Sequence, residues 1–321
     1  MFERELDYEK VFETLVNETA EYLKRNNLKV MVLGISGGID STVVAAICHE
    51  VSKRTGIPLI GRSLPIKNKD KEQIAANKVG EAFCTNFNTV VLWDSYNCML
   101  SDIAYGEEGI EVDDIYFDKE VKVPNQTPIA NGNIQARLRM IYLYNLASIY
   151  NGLVMSTDNQ SEYQLGFWTI HGDVGDFNPL QDLWKTEVYK LANYILNRIT
   201  KEGARLARDS NDLVGISIAI DLKVKQIKAI KESIDLVPTD GLGISNSDLD
   251  QIGTKSYDDV DRILKAYLNP FNPTALLRSL RDELGDEVVD KVIDRHKKSS
   301  FKRLKAPIYI PREKYESESF K

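Results

Sequence analysis

The stretch Val30-Met31-Val32-Leu33-Gly34-Ile35-Ser36-Gly37-Gly38-Ile39-Asp40-Ser41-Thr42-Val43-Val44 decides the fold of this 321-residue chain. Val30 to Leu33 is a short, unbroken apolar run, the pattern of a strand buried on both faces of a parallel sheet. Three glycines and a serine then interrupt it. From Asp40 onward Val43, Val44, Ile47 and Val51 recur at helical spacing. The reading is strand, tight loop, helix. Such a loop gathers backbone N–H groups and a helix N-terminus at one point. That favours phosphate, the dipole alone contributing about 0.3–1 kcal/mol. Glycine lets the backbone come close to a phosphate, and Ser36, Ser41 and Thr42 add hydroxyl donors. Asp40 is the odd member, because a bare carboxylate repels phosphate. It fits if it holds Mg2+ that the phosphates then share.

The loop admits other readings. It is not a Walker A loop, since no Gly-Lys-Ser/Thr closes it. Gly34-Ile35-Ser36-Gly37-Gly38 matches G-x-S-x-G, which would make Ser36 a hydrolase nucleophile with His171 or His296 as its base. A plain connecting turn is the third reading, but a turn alone does not require Ser-Gly-Gly-x-Asp-Ser in that order.

Outward from the loop, residues 8–25 form an amphipathic helix ahead of the first strand. Residues 57–64 read as a second strand, 70–83 as a helix, 89–93 as a third strand, 133–150 as a helix and 152–156 as a fourth strand. Alternating strands and helices argue a doubly wound parallel α/β sheet of about five strands. Residues 101–133 read as a long, largely irregular excursion, of the kind that serves as a lid, a partner surface or a plain insertion. Residues 157–183 read as a polar, glycine-bearing segment. Further helices are expected at 186–199, 222–234, 257–268 and within 275–296.

Composition narrows the function. The net charge of −7 argues against broad nucleic-acid binding. No apolar run nears about 18 residues, and the polar, acidic start is unlike a signal peptide, so no membrane span and a cytoplasmic location are expected. Cys48, Cys84 and Cys98 form no C-x-x-C pair and suit a reducing compartment.

Four further blocks carry chemistry. In Ala136-Arg137-Leu138-Arg139-Met140 the two arginines point about 200° apart on a helix, so one can grip an anion while the other packs or is solvated. Thr157 and Glu162 follow the fourth strand, at the same sheet edge as the first loop, where ligands of open α/β sheets bind. Gly172-Asp173-Val174-Gly175-Asp176 suits hydroxyl, amide or cation binding, and Lys185, just ahead of a helix, can reach a phosphate. Arg295-His296-Lys297-Lys298 is a solvated basic face or an anion grip.

Ser36 to Ser41 resembles the pyrophosphate loop of the ATP pyrophosphatase superfamily. Taken in order, the blocks resemble ammonia-dependent NAD synthetase. The family's sequence of blocks is a Ser-Gly-Gly-x-Asp-Ser loop, an Ala-Arg-x-Arg-Met helix, a Thr-Asp-x-x-x-Glu turn, a Gly-Phe-x-Thr-x-x-Gly-Asp loop, an Asn-Pro-Leu…Lys run, a Pro-Thr turn and a late His-Lys pair. All are present between Val30 and about Lys298. The resemblance implies an adenine nucleotide alpha hydrolase-like fold, in one domain with longer stretches at about 101–132 and 199–231. It implies that Gly34 to Ser41 hold the ATP phosphates and that Asp40 and Glu162 ligate Mg2+. Thr157, Lys185 and Thr239 would then contact ATP, and Arg137, His171, Asp173, Asp176, His296 and Lys297 a dinucleotide in a homodimer. The chain departs from the family at Ile170, where a lysine is usual, and at Asp158-Asn159-Gln160, which replaces Asp-His-Ala.

The implied reaction is amidation of deamido-NAD through an acyl-adenylate, with the same chemistry on nicotinate mononucleotide as the alternative. Glutamine-using members carry an N-terminal amidase domain that residues 1–29 are too few to hold. Free ammonia, or ammonia from a separate protein, is therefore expected.

Overall fold

A computed structural model describes residues 6–108, 120–209, 213–238 and 247–303. Helix α1 (Tyr8–Arg25) leads into β1 (Val30–Gly34), α2 (Ile39–Thr55), β2 (Leu59–Ser63), α3 (Asp70–Phe83) and β3 (Asn86–Thr89). Then come α4 (Trp93–Glu108), α5 (Pro128–Ile149), β4 (Gly152–Met155) and the short α6 (Gln160–Leu165). After these follow α7 (Lys185–Asp209), α8 (Leu213–Asp235), α9 (Asp248–Ile252), α10 (Tyr257–Tyr267), α11 (Pro273–Leu284), α12 (Asp286–Lys298) and a 3-10 turn, Ser300–Arg303. No helix of the described residues is long and apolar enough to cross a membrane.

The sheet is parallel, in the order β3-β2-β1-β4. Its described strands number four, and a single parallel bridge from Met155 to Phe177 extends it by one residue beyond β4. The apolar run at β1 alternates its side chains between two cores. Met31 and Leu33 face α1, α2, α3, α7 and α8, with Leu59, Leu153 and Met155 beside them. Val30 and Val32 face α4 and α5, with Ile60 and Val154 beside them. Helices on both faces make the doubly wound arrangement the alternation predicted. A third apolar cluster joins Leu165 of α6 to α9, α10, α11 and α12.

Several boundaries differ from the sequence reading. The third strand runs over Asn86–Thr89 rather than 89–93. The apolar Val90 and Leu92 belong to the loop between β3 and α4, which runs beside the chain leaving β2: their N–H groups bond Ser63 O and Pro65 O at 2.8 and 3.0 Å, and the Leu92 side chain enters the second core. The excursion at 101–133 begins inside α4, whose Tyr96, Leu100 and Ala104 are buried at helical spacing, and ends inside α5, which Thr127 caps and Pro128 starts. The segment at 157–183 contains α6. The described residues of 199–231 are the end of α7 and most of α8. These two pack on each other, with Lys223 bonding Glu202 at 2.6 Å, and α8 docks on α3 through Lys78 and Glu232 at 2.6 Å.

Leu33 has no exposed surface at the centre of the larger core. Leu33→Ala should lower unfolding free energy by about 2–5 kcal/mol in denaturant titration. A loss below about 1 kcal/mol would contradict the packing described.

Candidate active site

The chain leaves β1 toward β2 and later returns to β4 on the other side of β1, so the loops after β1 and β4 diverge. That is the switch point at which open α/β sheets bind ligands. A cavity of about 560 Å³ opens there, with Gly34, Ile35, Ser36, Asp40 and Ser41 on one wall and Thr157, Asp158, Glu162 and Asp173 on another.

Gly37 adopts φ +84°, and a Cβ on it would lie 2.6 Å from Ala76 N of α3. No other residue type fits this turn. Gly38 is the N-cap of α2 and offers no side-chain cap, so the first N–H groups of the helix keep their donors for a ligand. The hydroxyls shape the loop from within. Ser36 Oγ accepts the Gly38 N–H at 3.2 Å and lies 2.9 Å from Ser41 Oγ. Ser41 and Thr42 hydroxyls donate to Gly38 O at 3.1 and 2.9 Å. Ile35 and Ile39 are buried and anchor the loop in the core.

Asp40, in the first turn of α2, turns toward the β4 side. Its Oδ2 accepts from Lys185 Nζ at 2.5 Å and its Oδ1 from Asn159 Nδ2 at 2.9 Å. Glu162 Oε1 accepts from the same Lys185 Nζ at 2.9 Å. Lys185 is 2% exposed. Burial alone would lower its pKa, but the Asp40 and Glu162 charges outweigh this and raise it well above the usual value. Burial, with Asp40 next, pushes Glu162 up to about 7 although Lys185 pulls the other way.

Asn159 organises this pair of carboxylates. Its side chain caps α6 by accepting the Glu162 N–H at 3.0 Å, and Glu162 Oε2 accepts the Asn159 N–H at 3.1 Å. This reciprocal capping box fixes Glu162, while the Asn159 amide holds Asp40. The residue was absent from the sequence-derived site, yet Asn-x-x-Glu ahead of a helix carries its signal.

Asp158 and Asp173 form a second acidic pair on the cavity wall. Burial raises both, and for Asp158 the Asp173 charge adds to it. Ser156 Oγ donates to Asp158 at 2.8 Å and the Thr169 N–H to Asp173 at 2.7 Å. Of the two arginines on α5, Arg139 lines the cavity, its Nε donating to Leu64 O at 3.0 Å. Arg137 is exposed, lies off the lining and donates to Ile170 O at 3.1 Å.

His171, Asp176, His296 and Lys297 also lie off the lining. His171 is exposed, at φ +54°. Asp176 accepts the Val154 N–H at 3.0 Å and the Tyr144 hydroxyl at 3.1 Å, which fastens the sheet edge. His296 is buried, its Nδ1 3.1 Å from Gln164 O and its ring against Tyr267. Lys297 is exposed, its Nζ over the Tyr267 ring. Thr239 lies outside the described residues.

The serine-hydrolase reading does not hold. Ser36 bonds Ser41 and Gly38, whereas His49 bonds Phe83 and Gln226, His296 bonds Gln164, and His171 faces solvent. Among the described residues no group of three or more His, Cys, Asp or Glu is placed to hold a metal.

Fold and site define a doubly wound α/β protein with a glycine-lined, uncapped helix start opening into a cavity at the switch point of its sheet. The NAD synthase family profile matches residues 11–306, and the chain belongs to that family. It is 30% identical over 306 residues to the NH(3)-dependent NAD(+) synthetase of Methanocaldococcus jannaschii, covering 92% of this chain and 96% of that protein. Two solved structures share the fold. NMN synthetase from Francisella tularensis has TM-score 0.68 and 23% identity, over 96% of this chain and 100% of that one. NH3-dependent NAD synthetase from Campylobacter jejuni has TM-score 0.62 and 23% identity, over 95% and 100%. Membership makes the chain a carbon–nitrogen ligase with ATP as co-substrate.

The raised Glu162 gives a pH test. Its folded pKa of about 7 exceeds the unfolded value of 4.5. Its contribution to stability is therefore complete below the unfolded value and lost as pH rises through the folded one. Relative to the parent chain, Glu162→Gln should gain stability at pH 8 compared with pH 4.5 in metal-free denaturant titrations. Parallel stability–pH curves for the two proteins would contradict it.

Proposed function

We propose that the protein amidates deamido-NAD with ammonia, giving NAD, AMP and pyrophosphate through an acyl-adenylate. The observation that carries this is Lys185 held between Asp40 and Glu162 beside an uncapped, glycine-lined helix start. An acid does not take up ammonia directly because oxide is a poor leaving group. Its carboxylate oxygen instead attacks the α-phosphorus of ATP, and the α–β bridging oxygen leaves with pyrophosphate. Ammonia then attacks the acyl carbon, AMP departs, and one proton is released.

The residues supply positioning and charge. The Gly34 to Ser41 cradle binds the phosphates through its N–H groups, with Thr157 and Thr239 as further ATP contacts. Lys185 offsets charge that develops on the departing pyrophosphate. When ionised, the Asp158 and Asp173 carboxylates on the cavity wall are stronger bases than ordinary carboxylates and can accept the proton that ammonium must lose to become ammonia. Two carboxylates converging on one positive centre suit Mg2+, which takes one or two carboxylates and completes its shell with water and phosphate. Asp40 and Glu162 would hold it, and when bound it neutralises phosphate charge.

Asp173 lines the cavity, and its proposed role is contact with the dinucleotide there. Arg137, His171, Asp176 and Lys297 lie outside it and are exposed, in keeping with a dinucleotide site completed by a second subunit, whereas His296 is buried against Tyr267 and would act on that site only from behind. The exposed Tyr105 on α4 and Ile129, Ile141 and Ile149 on α5 supply apolar surface for such a homodimer. Ammonia arrives free or from a separate protein, in keeping with the ammonia-dependent M. jannaschii relative.

The test is incubation with ATP, Mg2+, ammonium and deamido-NAD, following AMP and NAD by chromatography. Both products should appear in equal amounts, and kcat/KM should favour deamido-NAD over nicotinate mononucleotide. The opposite preference would assign the mononucleotide as substrate. Lys185→Ala should lower AMP release at least about a hundredfold, and a fold-intact variant at the parent rate would remove Lys185 from the chemistry.

A further inference from the structure

Asp261 belongs to α10, in the C-terminal helical cluster, and is 2% exposed. Its sequence neighbours Val260, Ile263 and Leu264 are buried apolar residues of that cluster, so packing alone does not call for a carboxylate there. The carboxylate instead reaches the first turns of two other helices. Its Oδ1 accepts from Ser161 Oγ on α6. Its Oδ2 accepts from Thr186 N–H at 2.9 Å and from Thr186 Oγ1 at 2.8 Å on α7. The Ser161 hydroxyl also accepts the Lys185 N–H at 2.9 Å.

The two residues tied in this way are sequence neighbours of the charged pair: Ser161 precedes Glu162, and Thr186 follows Lys185. A carboxylate at the start of α7 is also favoured by the helix dipole. Tyr257, one turn before Asp261 on α10, sets its ring 5.4 Å from Lys185 Nζ. The same helix thus meets Lys185 at both its backbone and its side chain.

We infer that Asp261 is a positioning residue for Lys185: by joining the first turns of α6 and α7 through Ser161 and Thr186, it sets the ammonium group against Asp40 and Glu162. The inference rests on the role proposed above for Lys185. Loss of the tie leaves the glycine cradle after β1 untouched and displaces the cation. A displacement of about 1 Å is enough to cost about a hundredfold in rate.

The test uses the full chain with ATP, Mg2+, ammonium and deamido-NAD, reading AMP release, with a thermal melt of each variant. Asp261→Asn and Ser161→Ala should each lower kcat per folded molecule at least about tenfold, while KM for ATP changes less than about threefold. Ser161→Thr, which keeps the hydroxyl, should restore most of the rate. Parent kcat in folded Asp261→Asn, or a loss that follows only the unfolded fraction, overturns the inference, as does failure of Ser161→Thr to outperform Ser161→Ala. If Lys185→Ala also turns over at the parent rate, the role of Lys185 itself falls. If Lys185→Ala is inactive while Asp261→Asn is not, only the positioning role falls.

Discussion

One buried ammonium shared by two carboxylates governs the architecture of the site. Lys185, Asp40 and Glu162 come from three helices, and none of the three groups is stable in that setting alone. Removing one partner leaves a charge without compensation. The surrounding hydrogen bonds follow from that requirement. Asn159 satisfies Asp40 and orients Glu162 at once, and the capping box of α6 spends its two bonds on the same residue pair. The sheet supplies the frame, because β1 and β4 are neighbours and their exits bring α2 and α6 to one edge.

Much of this was legible in the sequence. The apolar run at Val30–Leu33 and the glycines after it gave strand, loop and helix with sound boundaries, because a fully buried central strand has a strong pattern. The cradle, Thr157 and Glu162 gather around one cavity, as their positions after β1 and β4 implied, and Asp173 joins them there. The rest was hidden for definite reasons. The start of α4 leads into a region rich in glycine and acids, which masks the helical spacing of its buried Tyr96, Leu100 and Ala104. The last turns of α7 were hidden by polar residues that pair across to α8, such as Glu202 with Lys223. Val90 to Leu92 reads like a strand because a loop that buries Leu92 and half-buries Val90 leaves much the same apolar signal.

The basic residues near the C-terminus show a different limit. Arg295, Lys302 and Arg303 donate to the carbonyls of Leu165, Gly166, Trp168 and Gln164, at and just beyond the end of α6. Cations at a helix C-terminus are favoured by its dipole. Charge in that stretch therefore braces the helix that carries Glu162, a role that composition cannot separate from anion binding. Arg139 illustrates the same point: which of two arginines faces inward depends on the phase of α5, which only packing fixes.

Asp40 and Lys185 are 145 residues apart, and the chain between them includes every other strand of the sheet. A site assembled over such separation cannot exist in a short leading fragment, because loop closure must precede the contacts that reward it. During synthesis the glycine cradle therefore emerges long before its cation. A nascent chain halted ahead of α7 carries the sequence signature of a nucleotide site without the means to use one.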